Sequence, residues 1–300
     1  MTRREKAIAN AAIVATMEKP ERKQAVVPAI ADAPVKIPRD VNRHVLKNYD
    51  YDTVQPYINR QMLIGHHLGL KGKVAEMIKE GNEKAISLNN LVDDLVDFVK
   101  KDEDYGINAV YQFFPAQSNG NKVLIYNPEN HTEVLEEFDF PRQATSPYLC
   151  LADFVKPVSS GEMDYAGFFV VTAGRGIRKW ADKWKEEGDF LKSHAIQALA
   201  LETAEGFAER IHQLMRDSVG ISDPIDMTMK DRFAAKYIGQ RFSFGYPACP
   251  NLEDQEKLFR LLKPEDIGVQ LTEGFMMEPE ASVSAIVFAH PEARYFNVER

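Results

Sequence analysis

The segment Arg241–Pro250, RFSFGYPACP, brings an arginine, three aromatic residues, a glycine and two prolines into ten positions. The prolines disfavour a regular helix or a central strand, and the glycine permits a backbone turn. A guanidinium can pair with an anionic group, and aromatic faces attract flat or cationic groups. The segment is therefore a candidate lip of a ligand site. The alternative is a loop that Phe242, Phe244 and Tyr246 pin to the core.

Other signals for chemistry are weaker. Ala173–Gly176, AGRG, follows a predicted strand as a phosphate-binding turn would, but it lacks the third glycine and the acidic partner of a dinucleotide site. A plain turn is the favoured interpretation. His66 and His67 are adjacent and cannot share one face of a helix or strand, so no metal site is expected. Neither HExxH nor GxSxG occurs, which gives hydrolase chemistry no motif.

Composition narrows the function classes. The 300 residues are 44% hydrophobic and 27% charged, as in ordinary globular proteins. The net charge of -8 argues against binding to nucleic acid. No apolar stretch reaches the ~18 to 20 residues that span a bilayer, and the N-terminus lacks a secretory core, so we expect a cytoplasmic protein. Cys150 and Cys249 are too few for a disulfide framework and are expected to be reduced.

The spacing of apolar residues and the turn residues predict the helices and strands that must position these side chains. Strands mixed with helices, without regular alternation, indicate an α+β fold. Two helices are predicted at Leu88–Lys101 and Phe190–Arg216, a hairpin over Ile107–Tyr126 with its turn at Asn119–Gly120, and further strands at Tyr165–Ala173, near Gly268–Leu271 and at Val283–Ala289.

The first 40 residues differ from the rest. Arg3–Met17 is predicted as a short helix, and the Ala-, Pro- and Val-rich stretch behind it as an extended tether. Its acidic residues argue against an organellar transit peptide. We therefore predict an N-terminal helix and linker over residues 1–40, and one compact domain over residues 41–300.

The string GYPACP, with an arginine five residues before its tyrosine, resembles the signature of the activation domain of cobalamin-dependent methionine synthase, which binds S-adenosylmethionine (AdoMet). The resemblance covers roughly residues 45 to 298. Further motifs match in the correct order: FPAQ at Phe114–Gln117, YLCLADFVKP at Tyr148–Pro157, DYAGFFVVT at Asp164–Thr172, AEGFAERIH at Ala204–His212, LTEGFMMEPEASVS at Leu271–Ser284 and FAHPEARYF at Phe288–Phe296.

The resemblance implies a twisted, mainly antiparallel sheet flanked by helices, and it implies roles for the lip. Arg241 matches the family arginine and is assigned to the methionine carboxylate of AdoMet. Tyr246 would approach the transferring methyl group as the catalytic contact. Backbone groups of Ser243 and Gly245 would meet the adenine.

The resemblance also assigns ligand contacts outside the lip. Tyr295 and Phe296 match an adjacent aromatic pair that contacts the ligand. An aspartate near the start of the domain would neutralise the ammonium, and Asp52 is assigned to it with Asp50 in reserve. Glu205 matches a family acid and would add negative charge near the sulfonium. The alternative for Glu205 is a solvated acid on a helix face.

The function implied is reductive methylation: AdoMet donates its methyl group while flavodoxin or a related flavoprotein donates one electron, and inactive cob(II)alamin is restored. A DxHxxG cobalamin motif is absent from the chain, so cobalamin would be carried by another domain or chain. This methyltransferase activity would then require that partner. Three hypotheses about the function of the chain remain open. It is a module or separate subunit for reactivation, a self-sufficient AdoMet-dependent methyltransferase, or a docking subunit without a ligand site.

Overall fold

A central antiparallel sheet with helices on both faces organises the computed structural model, which describes residues 30 and 32–298. The predicted helix Arg3–Met17 and most of the predicted linker lie outside the described residues. None of the described helices combines the length and apolar character needed to cross a membrane.

The described strands are β1 His44–Leu46, β2 Asn108–Asn119, β3 Lys122–Asn127, β4 Asn130–Asp139, β5 Asp164–Thr172, β6 Gln240–Phe242, β7 Gln270–Leu271, β8 Met277–Glu278 and β9 Ser282–Phe288. Seven of them form the main sheet: six follow the order β4-β3-β2-β5-β9-β6, and β1 pairs with β2 on the same side as β3. Each pairing in it is antiparallel. The short strands β7 and β8 pair separately.

The helices divide between the two faces of this sheet. The described α-helices are α1 Tyr51–Val54, α2 Val74–Lys79, α3 Glu83–Lys101, α4 Ile177–Glu186, α5 Phe190–Ser218, α6 Met229–Phe233 and α7 Asp254–Leu262. A π-helical turn spans Gln61–His67, and short 3-10 turns cover Gln55–Tyr57, Leu151–Phe154, Val158–Ser160 and Pro264–Ile267.

Strand β5 shows why the sheet is covered on both sides. Successive side chains of a strand point to opposite faces. Phe169 and Val171 enter the core cluster that contains α5, whereas Phe168 and Val170 enter the cluster that contains α7. A strand that is buried on both faces needs a continuous apolar run, and YAGFFVVT is such a run.

Helix α5 is the longest described element, with 29 residues, and it lies along the sheet against β5 and β9. Gly206 lets another segment pack closely against it. A Cβ atom at this position would stand 2.9 Å from the carbonyl carbon and oxygen of Tyr57. Any side chain at Gly206 would push the 3-10 turn that contains Tyr57 away from helix α5. This close contact lies next to the acidic residue Glu205.

The α+β prediction is confirmed, and so is the antiparallel sheet flanked by helices. The hairpin turns at Gly120, which has φ of 64°. The predicted helix at Leu88 begins earlier, at Glu83, because the Asn82 side chain accepts a hydrogen bond from the backbone of Ala85 and caps it. Strand β4 and helices α4 and α7 were not predicted.

Candidate functional site

The lip segment leaves strand β6 and turns sharply at Gly245, where φ is 87°. Gly245 donates its backbone hydrogen bond to the carbonyl of Cys249, and Cys249 donates to the carbonyl of Tyr246. Phe244 is buried on one side of this turn and Cys249 on the other. The turn is therefore held by its own backbone and by two core anchors, which leaves its tip exposed.

The loop interpretation of the lip is correct in part. Phe242 and Phe244 pin the segment to the core, as the loop interpretation required. Tyr246 does not, because 62% of its surface is exposed. A large aromatic side chain that the fold leaves in solvent beside a cavity is available to contact a ligand.

The lip borders a cavity of about 270 Å³. Six of the residues predicted for the site line it, and the structure brings them together from α5, the lip and the C-terminal segment. The lining residues are Glu205, Arg241, Phe242, Ser243, Tyr246, Pro247, Ala248, Cys249, Tyr295, Phe296 and Asn297. Gly245 is at the tip of the lip, one residue from this wall.

Arg241 is held from behind by three groups that meet one of its nitrogens. Its Nη1 donates to Glu209 Oε2 at 2.5 Å, lies 3.3 Å from the hydroxyl of Tyr237 and lies 3.4 Å from Nδ1 of His212. Burial alone would lower the pKa of Arg241, but the charge of Glu209 raises it, so the guanidinium stays protonated. The site therefore has a fixed positive charge at its wall.

A buried group of charges continues behind this arginine. Arg216 pairs with Asp223 through two hydrogen bonds of 3.0 Å, and Arg232 donates to the same carboxylate at 2.9 Å. Burial and the nearby arginines hold the pKa of His212 well below its usual range, so the imidazole is neutral. Three arginines and the two carboxylates of Glu209 and Asp223 leave one net positive charge in this group, which favours an anion at Arg241.

The C-terminal segment closes the other side of the cavity. The Tyr295 hydroxyl donates to the carbonyl oxygen of Arg241 at 2.8 Å, so the segment is tied to β6. The ring of Tyr295 meets Phe242 edge to face at 5.3 Å, and the ring of Phe296 lies 6.4 Å from Phe154. Phe296 is partly buried and packs against the core cluster that contains α7, whereas Tyr295 remains 60% exposed.

Asp52 and Asp50 are not among the residues that line the Arg241 cavity. They border a separate cleft, where Asp52 forms an ion pair with Lys100 at 2.5 Å. Asp50 caps helix α1, since its carboxylate accepts hydrogen bonds from the backbone of Asp52 and from the hydroxyl of Thr53. Glu205, in contrast, is exposed on α5 and lines the cavity.

The weaker motifs take structural roles. Ala173–Gly176 is a turn between β5 and α4, as expected. His67 Nε2 lies 3.0 Å from Glu202, and the described residues contain no group of side chains suited to a metal ion. Cys150 and Cys249 are free and buried, and burial raises the pKa of the Cys249 thiol to about 12.

Sequence reasoning missed Glu209 and Tyr237 as parts of the site. Glu209 falls within the motif AEGFAERIH, but nothing in its spacing relates it to an arginine 32 positions later. Only the packing of α5 against β6 and the preceding loop brings the two side chains together.

Fold and cavity together define an α+β ligand-binding domain whose site combines a cation, a carboxylate and several aromatic rings. A family model of the vitamin B12 dependent methionine synthase activation domain matches residues 50–300. The chain belongs to that family, and the resemblance expected from its motifs is confirmed.

Relatives agree with this assignment. The chain is 37% identical over 201 residues to methionine synthase of Mycobacterium tuberculosis (strain ATCC 25618 / H37Rv), which covers 63% of this chain and 17% of that protein. It is 34% identical over 209 residues to methionine synthase of Mycobacterium leprae (strain TN), covering 65% and 17%. The chain thus spans about a sixth of the length of these relatives.

A solved structure is similar over most of the fold. The crystal structure of the MetH reactivation domain bound to AdoHcy superposes with a TM-score of 0.84 at 28% identity. The match covers 90% of this chain and 86% of that chain.

Proposed function

We propose that this chain binds AdoMet and presents its methyl group for the reductive methylation of cobalamin in methionine synthase. The observation that carries the proposal is one cavity of about 270 Å³ where a fixed guanidinium, a carboxylate and aromatic rings meet. AdoMet has the complementary groups: a carboxylate, an ammonium, a sulfonium and an adenine. The similar domain solved with AdoHcy supports a ligand of this class.

Each wall of the cavity matches one part of this ligand. Arg241 would pair with the methionine carboxylate, because the buried group of charges to which it belongs carries one net positive charge. Tyr246, Tyr295 and Phe296 would supply aromatic faces for the adenine and the sulfonium. Backbone groups of Ser243 and Gly245 would meet the polar edge of the adenine.

We infer that Glu205 neutralises the cationic side of the ligand, the ammonium together with the sulfonium. Among the described residues that line the cavity, Glu205 is the one carboxylate. Asp52, the aspartate first assigned to the ammonium, already has Lys100 as its partner. An AdoMet ammonium at Asp52 would have to displace that lysine.

In this proposal the chain contributes to the reaction by positioning AdoMet. Cobalamin, held by another domain or chain, would supply the metal centre that accepts the methyl group after one-electron reduction. Tyr246 is the catalytic contact in this proposal, since its exposed ring would hold the sulfonium methyl at the open side of the cavity. Fixing the donor in this orientation removes much of the entropy cost of bringing two large reactants together.

Two partners follow from this scheme. One is the cobalamin-binding domain or subunit of methionine synthase, which must approach the exposed lip. The other is flavodoxin or a similar flavoprotein as the electron donor. Similarity to full-length methionine synthases supports a role inside such an assembly, because each relative is far longer than this chain.

Calorimetric titration of AdoMet and AdoHcy into the purified chain tests the proposal. We expect both ligands to bind, and Arg241→Ala to weaken them by about ten- to a hundredfold through loss of a charge-assisted pair. Arg260→Ala is the matched control, because Arg260 pairs with Glu136 outside this cavity. If the unaltered chain binds neither ligand at millimolar concentration, the proposal fails.

A further inference from the structure

We propose that Glu209 is the positioning residue that orients Arg241 and thereby makes the site selective for adenosyl ligands that carry a carboxylate. The inference rests on the proposed AdoMet function and adds a determinant of specificity to it. Glu209 does not line the cavity. It would act on the ligand only through the arginine in front of it.

The hydrogen bonds of Arg241 separate a bound side from a free side. Its Nη1 meets Glu209, Tyr237 and His212, all behind the cavity wall. Within the described part of the chain, its Nε and Nη2 make no hydrogen bond, and 16% of the side chain is exposed. The planar guanidinium therefore keeps donors available for a carboxylate while one nitrogen is fixed.

Glu209 is itself held firmly enough to act as a clamp. Its side chain is 7% exposed, and its second oxygen, Oε1, lies 3.7 Å from Nη2 of Arg216. The Tyr237 hydroxyl donates to Oε2 at 3.1 Å, whereas Oε1 has only this ion-pair contact and no hydrogen bond among the described residues. Arg216 is fixed in turn by its paired hydrogen bonds to Asp223. A chain of buried contacts thus fixes the direction in which Arg241 points.

A purely structural role for Glu209 makes a different prediction. If the carboxylate only compensated buried charge, its loss would loosen the fold and weaken every ligand of the cavity alike. If it orients Arg241, its loss would weaken only ligands whose carboxylate the arginine holds. The pair AdoHcy and 5′-methylthioadenosine separates these cases, because the second molecule keeps the adenosine and the thioether but lacks the amino acid part, which carries the carboxylate that Arg241 would hold as well as the ammonium.

The experiment measures the affinity of both compounds for the unaltered chain and for Glu209→Gln, which keeps the shape of the side chain and removes its charge. We expect AdoHcy to bind about tenfold more weakly or worse, and methylthioadenosine to change less than about twofold. Glu202→Gln is the matched control: Glu202 is also buried on α5, but its partner is His67.

Equal losses for both compounds, or no loss for either, would overturn the inference. Should Glu209→Gln fail to fold by circular dichroism, Tyr237→Phe provides the second test. It removes the hydroxyl that contacts both Glu209 and Arg241, and it should weaken AdoHcy by a few-fold and spare methylthioadenosine. If the unaltered chain binds AdoHcy but Glu209→Gln weakens both compounds equally, the inference alone fails. If it binds neither, the proposed function fails as well.

Discussion

Two ion pairs of equal length, Arg241–Glu209 and Lys100–Asp52, differ in almost everything else. Both measure 2.5 Å, but 7% of Glu209 is exposed against 63% of Asp52. The first pair continues into further buried charges, and its Arg241 lines an aromatic cavity, whereas the second pair borders an open cleft. Because water screens an exposed pair, distance alone says little about function. Burial, and contacts with further buried charges, distinguish a preorganised site from a surface ion pair.

The largest expected effect comes from cutting the buried group at Arg216. Arg216→Met keeps an apolar side chain of similar length but leaves Glu209 and Asp223 short of a partner in a buried setting. We expect the free energy of unfolding to fall by about 3–5 kcal/mol in urea titration. Lys100→Met, which cuts the exposed pair, should leave unfolding unchanged. If both substitutions lowered the free energy of unfolding equally, the buried charges would contribute no more to stability than the exposed pair.

Acid should destabilise the buried group through His212. Burial, Arg216 and Arg241 hold the pKa of this imidazole well below its value in an unfolded chain, so the unfolded state binds the proton first. Stability from this group is present above pH ~6.5 and falls at up to about 1.4 kcal/mol per pH unit below it, or ~2 kcal/mol by pH 5. Urea titrations at several pH values should show a shallower decline in His212→Gln. Parallel curves would contradict the prediction.

Removing the charge of Glu205 tests the front of the cavity. Glu205→Gln should weaken AdoMet by about three- to tenfold, and AdoHcy less, because only AdoMet carries the sulfonium charge. Calorimetry with both ligands gives the ratio directly. Asp217→Asn, a charge removed near the end of the same helix, is the control. Identical losses for both ligands would place Glu205 at the ammonium alone.

The smallest effect is expected at Asp52. Asp52→Asn should change AdoMet affinity less than about twofold, because the carboxylate faces Lys100 in another cleft. The same calorimetric titration measures it. A loss larger than that of Glu205→Gln would return the ammonium to Asp52, as the family resemblance implied, and would mean that the cleft and the cavity act on one ligand.

Elements with a turn pair or a continuous apolar run were predictable, and exposed or strongly charged elements were not. The Asn-Gly turn and the apolar run of β5 can each be predicted from neighbouring residues alone. Strand β4 does not, because most of its side chains are exposed and HTEVLEEFD lacks an apolar face. Helix α4, IRKWADKWKE, was missed although its buried residues Ile177, Ala181 and Trp184 repeat at helical spacing, because charged residues make up much of this short segment.

The candidate site follows the same division. Arg241 and Tyr246 belong to one conspicuous segment, so residue types and spacing were enough to select them. Glu209 and Tyr237 are ordinary helix and loop residues whose role depends on a contact between distant parts of the chain. The position of Asp52 was also a matter of packing, because the first helix could face either cleft.

The two tryptophans of the chain, Trp180 and Trp184, both lie on α4. Their rings pack against Phe98 of α3, and neither residue lines the Arg241 cavity. The rings beside the cavity are tyrosine and phenylalanine. Indole emission should therefore report melting of the helical layer without a signal from ligand, while tyrosine absorbance at the lip should respond to adenine. Folding and occupancy can thus be followed at separate wavelengths in one sample.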